Sequence, residues 1–219
     1  MTGLSDRLRL AELLSARLCH DLSGPVGALI GVLEIAREEL PDSETLALAE
    51  ETAVELGQRL KLLRAAWGLE GDELDIARLH GFADGLSSSR RVHLDLAGLE
   101  PGAVFPPPAA RVVLNLLLLA AESLPGGGIV ALSGAPGEHV LVTISGPRAA
   151  WPTGFAAWLL DDPAAWAAVT AEARHMQGPP TVLLARGYGY RISLLMPTGP
   201  AAEAGVSPPL LLAFGNHAG

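Results

Sequence analysis

The chain has 219 residues and a mass of 22.7 kDa, and 49% of it is hydrophobic, so it can bury a proper core in one large domain or two small ones. A formal charge of -9 and a pI near 5.1 leave no basic surplus to neutralise phosphates, which argues against nucleic acid and against an anionic membrane as partners. The single Cys19 excludes an intramolecular disulfide and a cysteine-rich metal site.

The start MTGLSDRLRL has no apolar leader. The longest apolar run, Val112 to Ala121, is broken by Asn115 and falls short of the roughly 20 residues of a membrane span. The expectation is a cytoplasmic protein with no membrane partner. A mean hydropathy of +0.33 is high for a soluble monomer and points to a second copy covering apolar surface.

From Leu4 to Leu40, Leu10, Leu14, Leu18, Leu22, Leu29, Leu33 and Ala36 recur at near-heptad spacing, one stripe on a helix of ~3.6 residues per turn. Pro25 sits inside it and predicts a kink or local loosening. After Pro41, Asp42-Ser43 offers an N-cap with Glu44 in the first turn. A second helix carries Leu46, Ala49, Ala53, Leu56, Leu60, Leu63 and Trp67 in steps of three and four. The short connection predicts an antiparallel hairpin. A second stripe, Leu62, Ala66 and Leu69, needs its own cover, which a four-helix bundle of two hairpins would supply.

Near Gly71 the pattern changes to shorter elements. The sequence predicts a helix from about Asp75 to Leu86, a strand from Val92 to Leu96, and a buried helix from Pro106-Pro108 to about Leu124. Then come a hairpin of Ile129 to Ser133 and Val140 to Ser145, and helix between Phe155 and Met176. Two last strands are expected at Thr181 to Ala185 and Tyr190 to Met196, and Thr198 to Gly219 stays unassigned. The fold class is therefore α+β: a helical hairpin over residues 1–70, an α/β sandwich over 72–197 and a tail over 198–219.

Among six histidines, only His20 lies on a long helix in a charged setting, Arg17-Leu18-Cys19-His20-Asp21. At ~100° per residue it falls about 170° to 190° from the leucine stripe, so it is expected to face solvent. Ala16, Ser23, Gly24, Gly27 and Gly31 share its face. Glycine inside a helix costs about 1 kcal/mol relative to alanine, and a clearing that admits another protein's active site would offset that cost. Close helix packing at Gly27 and Gly31 is the plainer explanation. Imidazole is a fit nucleophile at cellular pH; Asp21 could hold the ring, and Arg17 could meet phosphoryl oxygens. A Cys19–His20 dyad is disfavoured because adjacent helical residues diverge by ~100°.

His20-Asp21-Leu22-Ser23-Gly24-Pro25 resembles the H box of sensor histidine kinases, in which a phosphoacceptor histidine is followed by an acid and then a helix-kinking proline. A phosphoacceptor hairpin followed by a Bergerat-like ATPase sandwich would cover residues from about 5 to 197. The second domain departs from that pattern. Val113 to Ala120 looks like the kinase N box, yet Leu119 stands where a second Asn would help hold Mg²⁺ and triphosphate. Ile144-Ser145-Gly146-Pro147-Arg148 offers no carboxylate for the adenine amine, and Gly126-Gly127-Gly128 and Gly187-Tyr188-Gly189 read as turns between strands, not phosphate loops.

An intact H box with a degenerate ATP domain resembles the ChpT family of alphaproteobacterial histidine phosphotransferases, whose Ala-Arg-Leu-Cys-His-Asp pattern appears at Ala16 to Asp21. The resemblance implies a homodimer that relays phosphoryl groups between the receiver of a hybrid kinase and those of response regulators. His20 would be the phosphoacceptor, with Asp21 and Arg17 as aids. Ala16, Ser23, Gly24 and Gly27 would meet the partner. No cofactor is expected on this chain, and Mg²⁺ would sit on the receiver. The acids Glu38, Glu39, Glu50, Glu51, Glu70, Asp72 and Glu73 read as solvated faces, not metal ligands. An ATP-dependent histidine kinase and a non-catalytic regulator-binding scaffold remain as alternatives.

Overall fold

The computed structural model describes residues 4–38, 43–68, 72–87, 91–171, 177–195 and 207–215. Two helices come first, α1 (Leu4–Glu38) and α2 (Ser43–Trp67), packed against each other. The connection around Pro41, the expected cap at Asp42 and Leu69 lie outside the described residues, whereas Glu44 occupies the first turn of α2. α1 stays helical through Pro25.

The remaining elements are β1 (Leu74–Asp75), α3 (Ile76–Ser87), β2 (Val92–Leu99), β3 (Val104–Phe105), α4 (Pro107–Glu122), β4 (Gly128–Ala135), β5 (His139–Ser145), α5 (Phe155–Leu160), α6 (Asp162–Ala171), α7 (Gly178–Gly187), β6 (Arg191–Leu194) and β7 (Leu210–Ala213). β1 and β3 form a small antiparallel pair. The main sheet has the order β2-β4-β5-β7-β6, with β2 and β4 parallel and the other neighbours antiparallel. Helices pack against this sheet, so the expected helical hairpin followed by a helix-and-sheet layer is what the chain forms.

α4 is the centre of the core. Every residue from Val112 to Ala121 is buried, which accounts for the all-round apolarity of this helix. Pro107 and Pro108 open it where a missing N–H costs little.

Several expectations are corrected. Thr181–Ala185 is helical, the middle of α7, and Pro179 and Pro180 stand at its start. The stretch read as a tail supplies β7, which lies between β5 and β6 and buries Leu210 and Leu212 completely. Its position is held by the Trp151 indole, which donates to the Pro208 carbonyl at 2.6 Å, and by Phe214 against Tyr190, with ring centres 5.4 Å apart. Finally, Leu62 and Ala66 are fully buried within this one chain. Their cover is α3 and α4 of the sandwich rather than a second hairpin.

Close approach of α2 and α3 demands glycine at Gly85, where a Cβ would stand 2.8 Å from the Gln58 carbonyl oxygen and 3.1 Å from the Leu62 Cβ. The Arg59 guanidinium donates to the Gly85 carbonyl at 3.2 Å across the same seam. The glycine-rich turns also differ from expectation: Gly126–Gly128 links α4 to β4, and Gly187–Gly189 links α7 to β6, so each follows a helix rather than joining two strands.

Candidate functional site

His20, Asp21, Arg17 and Ala16 all lie on α1, and their side chains fall outside the described residues. The structure therefore gives their place on the helix. α1 is seated on the sandwich by its apolar stripe: Leu14 packs on the buried Val169 of α6, and Leu18 and Leu22 pack on the main core. Position 20 lies about 160° round the helix from both Leu18 and Leu22, away from that seat.

Positions 24, 27 and 31 fall within about 40° of position 20 on a straight helix. Among the described residues, and apart from the helix's own neighbouring backbone, no heavy atom lies within 4 Å of a Cβ built at Gly24, Gly27 or Gly31. Among the described residues, the close-packing explanation of these glycines therefore finds no neighbour. Ser23 is exposed, and its hydroxyl donates to the Cys19 carbonyl at 2.6 Å. Pro25 lacks the N–H that would bond the carbonyl of residue 21, so the backbone beside His20 has one acceptor without its usual helical donor.

The platform beneath α1 is tied together by Arg186. Its guanidinium donates to the Trp158 and Leu159 carbonyls at 3.0 and 2.6 Å and pairs with Asp162, joining α5, α6 and α7. Trp158 fills the space above Gly178, where a Cβ would meet its ring at 2.6 Å.

The region corresponding to the N box is packed solid. Leu119 is fully buried. Asn115 is also fully buried, and its amide donates to the Ala66 carbonyl and the Arg111 carbonyl, both at 2.9 Å. Gln177 donates to the Asn115 Oδ1 at 2.9 Å and to the Thr181 hydroxyl at 3.2 Å. The turn after β5 closes on the glycine turn: a Cβ at Gly146 would stand 2.4 Å from the Gly127 carbonyl oxygen.

Sequence reasoning recognised Asn115 only as a remnant of a motif and passed over Gln177, Thr181 and the Arg111–Tyr188 hydroxyl bond of 2.8 Å. An Asn interrupting an apolar helix was the available signal, since a buried amide must find partners. Among the described residues, no group of three or more His, Cys, Asp or Glu could hold a metal ion, and Glu50, Glu51, Asp72 and Glu73 are exposed. Among them, too, no helix is long and apolar enough to cross a membrane.

Residues 76–198, more than half of the chain, match the family model described as histidine phosphotransferase C-terminal domain. The chain is 28% identical over 193 residues to the protein phosphotransferase ChpT of Brucella abortus (strain 2308), covering 85% of this chain and 90% of that one. Its fold is similar to a solved bacterial phosphotransferase, with a TM-score of 0.69, 24% identity and 97% of each chain covered.

Proposed function

The chain belongs to the histidine phosphotransferase family, and from that premise we propose that it relays phosphoryl groups between receiver-domain aspartates, from a hybrid kinase to response regulators, through His20. The observation that carries this reading is the open face of α1 running from position 20 past Gly24, Gly27 and Gly31. Beyond His20 that face carries Ser23 and these three glycines, small residues that leave room for a receiver's active site.

In the proposed step a lone pair on one His20 ring nitrogen attacks the phosphorus of an aspartyl phosphate. The N–P bond forms as the acyl O–P bond breaks, and the aspartate leaves as a carboxylate. The other ring nitrogen keeps its proton, which the negative charge of neighbouring Asp21 favours, and Arg17, one turn back, meets the phosphoryl oxygens. The receiver supplies Mg²⁺, which neutralises the phosphoryl charge, and this chain contributes the nucleophile and the docking face, made in part by Ala16, Ser23, Gly24 and Gly27. The reverse reaction loads the next receiver.

No autokinase activity is expected. Supporting this, a leucine side chain cannot ligate a hard cation at position 119, and the buried Asn115 Oδ1, the oxygen that could, accepts from the Gln177 amide. A homodimer is part of the same reading. Val26, Ile30, Leu33, Leu46, Leu48 and Val54 of the hairpin are exposed in the single chain, and pairing two hairpins into a bundle would cover them. We place the protein in the cytoplasm, where receivers and hybrid kinases meet.

The deciding experiment offers the purified protein labelled ATP alone or a phosphorylated receiver alone. Label reaching the protein only from the receiver supports the relay; label arriving from ATP without a receiver overturns it. His20→Ala separates a relay from a scaffold, because a scaffold keeps its cellular activity without the imidazole.

A further inference from the structure

A groove of about 760 Å³ runs between α2 and α3, lined among others by Gly57, Leu60, Lys61, Arg64, Arg78 and Phe82. Its charges are unevenly satisfied. Arg78 is paired with Asp72 at 2.8 Å and donates to the Glu73 carbonyl at 2.6 Å. Lys61 lies over the Phe82 ring, 5.5 Å from its centre, and Lys61 and Arg64 are both exposed. Among the described residues no carboxylate pairs with either. The groove thus concentrates two uncompensated positive charges on a chain whose net charge is -9.

The groove also lies at the height of the phosphotransfer site. Eighteen residues separate His20 from the end of α1 at Glu38, and the same eighteen separate the start of α2 at Ser43 from Lys61. An antiparallel hairpin sets the two level to within about a turn. By the same count Gly57 is level with Gly24, and at Gly57 too no atom of the described residues beyond its own helix backbone lies within 4 Å of an added Cβ. In the groove, exposed Leu60 gives an apolar surface beside the cations.

We propose that this groove docks an acidic segment of the protein that brings the phosphoryl group to His20. The inference rests on the relay proposed above and adds the chemistry of its partner. A donor carrying an aspartyl phosphate is anionic where it must touch an anionic chain, so approach is repulsive unless a local positive field steers it. Lys61 and Arg64 supply that field at the height of the imidazole. Phe82, on the sandwich, holds the Lys61 ammonium at the groove wall, so the docking surface draws on both domains.

The test uses the full chain and an isolated receiver domain phosphorylated with acetyl phosphate and Mg²⁺. Initial transfer rates are measured against receiver concentration at low and high ionic strength. Lys61→Glu with Arg64→Glu should raise KM about tenfold at low salt, and the neutral pair Lys61→Gln with Arg64→Gln about threefold, the loss lying in KM rather than kcat. Both effects should shrink at high salt, where charges are screened.

An unchanged KM at low salt, or a change that salt does not reduce, overturns the groove assignment while leaving the relay standing. So does a fall in oligomeric mass of the variants, which would mean that a second copy fills the groove. Wild-type protein that accepts no phosphate from the receiver overturns the relay itself and the groove with it.

Discussion

The Asn115 side-chain amide donates to the Ala66 carbonyl across 2.9 Å, tying the buried helix of the sandwich to the last turn of the hairpin. The same side chain accepts from Gln177 at 2.9 Å. One amide therefore joins α2, α4 and the start of α7. Replacing it with alanine leaves the Ala66 carbonyl without this donor in the core and removes one of the three acceptors of the Gln177 amide, which keeps the backbone carbonyl of residue 115 and the Thr181 hydroxyl; an unsatisfied buried polar group costs about 1–3 kcal/mol. Asn115→Ala should lower the urea midpoint by an amount corresponding to about 2–4 kcal/mol.

Two glycines predict opposite outcomes. Gly85→Ala drives a methyl into the Gln58 backbone and should destabilise the protein by about 1–3 kcal/mol. Gly27→Ala meets open space inside a helix and should stabilise it by up to about 1 kcal/mol. Gly27→Leu keeps the helix but fills the clearing, and should slow transfer to His20 about tenfold or more through misplacement of the docked partner. Thermal melts and transfer assays on the three variants check both halves.

β7 is predicted to be indispensable to the sandwich. Leu212 is fully buried and pairs with Val140 on one side and Ile192 on the other. Leu212→Ala should cost about 2–5 kcal/mol in chemical denaturation. Truncation before Ser207 removes the strand that joins β5 to β6, and should abolish the cooperative unfolding transition of the second domain.

Tyr190 gives a pH dependence. Burial raises its phenol pKa, and the neighbouring Tyr188 adds to the rise. The unfolded chain then ionises at lower pH than the folded one, so the contribution is fully present below the ordinary tyrosine value and is lost as pH climbs through the raised folded value. Stability should fall on that alkaline limb, and Tyr190→Phe should flatten the fall in denaturation curves taken across it.

Much of this architecture was legible because the signals were long. The three-and-four spacing of α2 and the unbroken apolarity of α4 each specify a helix over several turns. The losses came from short apolar runs, where period cannot separate helix from strand. Thr181-Val182-Leu183-Leu184-Ala185 looks like a strand, yet Gly178-Pro179-Pro180 ahead of it is a helix opening, with prolines where a missing donor is harmless. Leu210 to Ala213 is too short for a pattern, and its partners at β5 and β6 are set by register rather than by neighbouring sequence.

The stripe of Leu62 and Ala66 correctly demanded a cover, but sequence alone could not say that the cover came from the same chain. At the site, the glycines beyond His20 were readable as a face of the helix. The level match of Lys61 to His20 needed the hairpin, and the pairing of Asp72 with Arg78 needed coordinates.

Transfer through His20 is tested by mixing the protein with a phosphorylated receiver domain and locating the transferred phosphate by mass spectrometry. An acid-labile, base-stable phosphoryl group should appear on His20 as the receiver loses its own, and none in His20→Gln. Phosphate arriving at another residue, or transfer undiminished in His20→Gln, would contradict it.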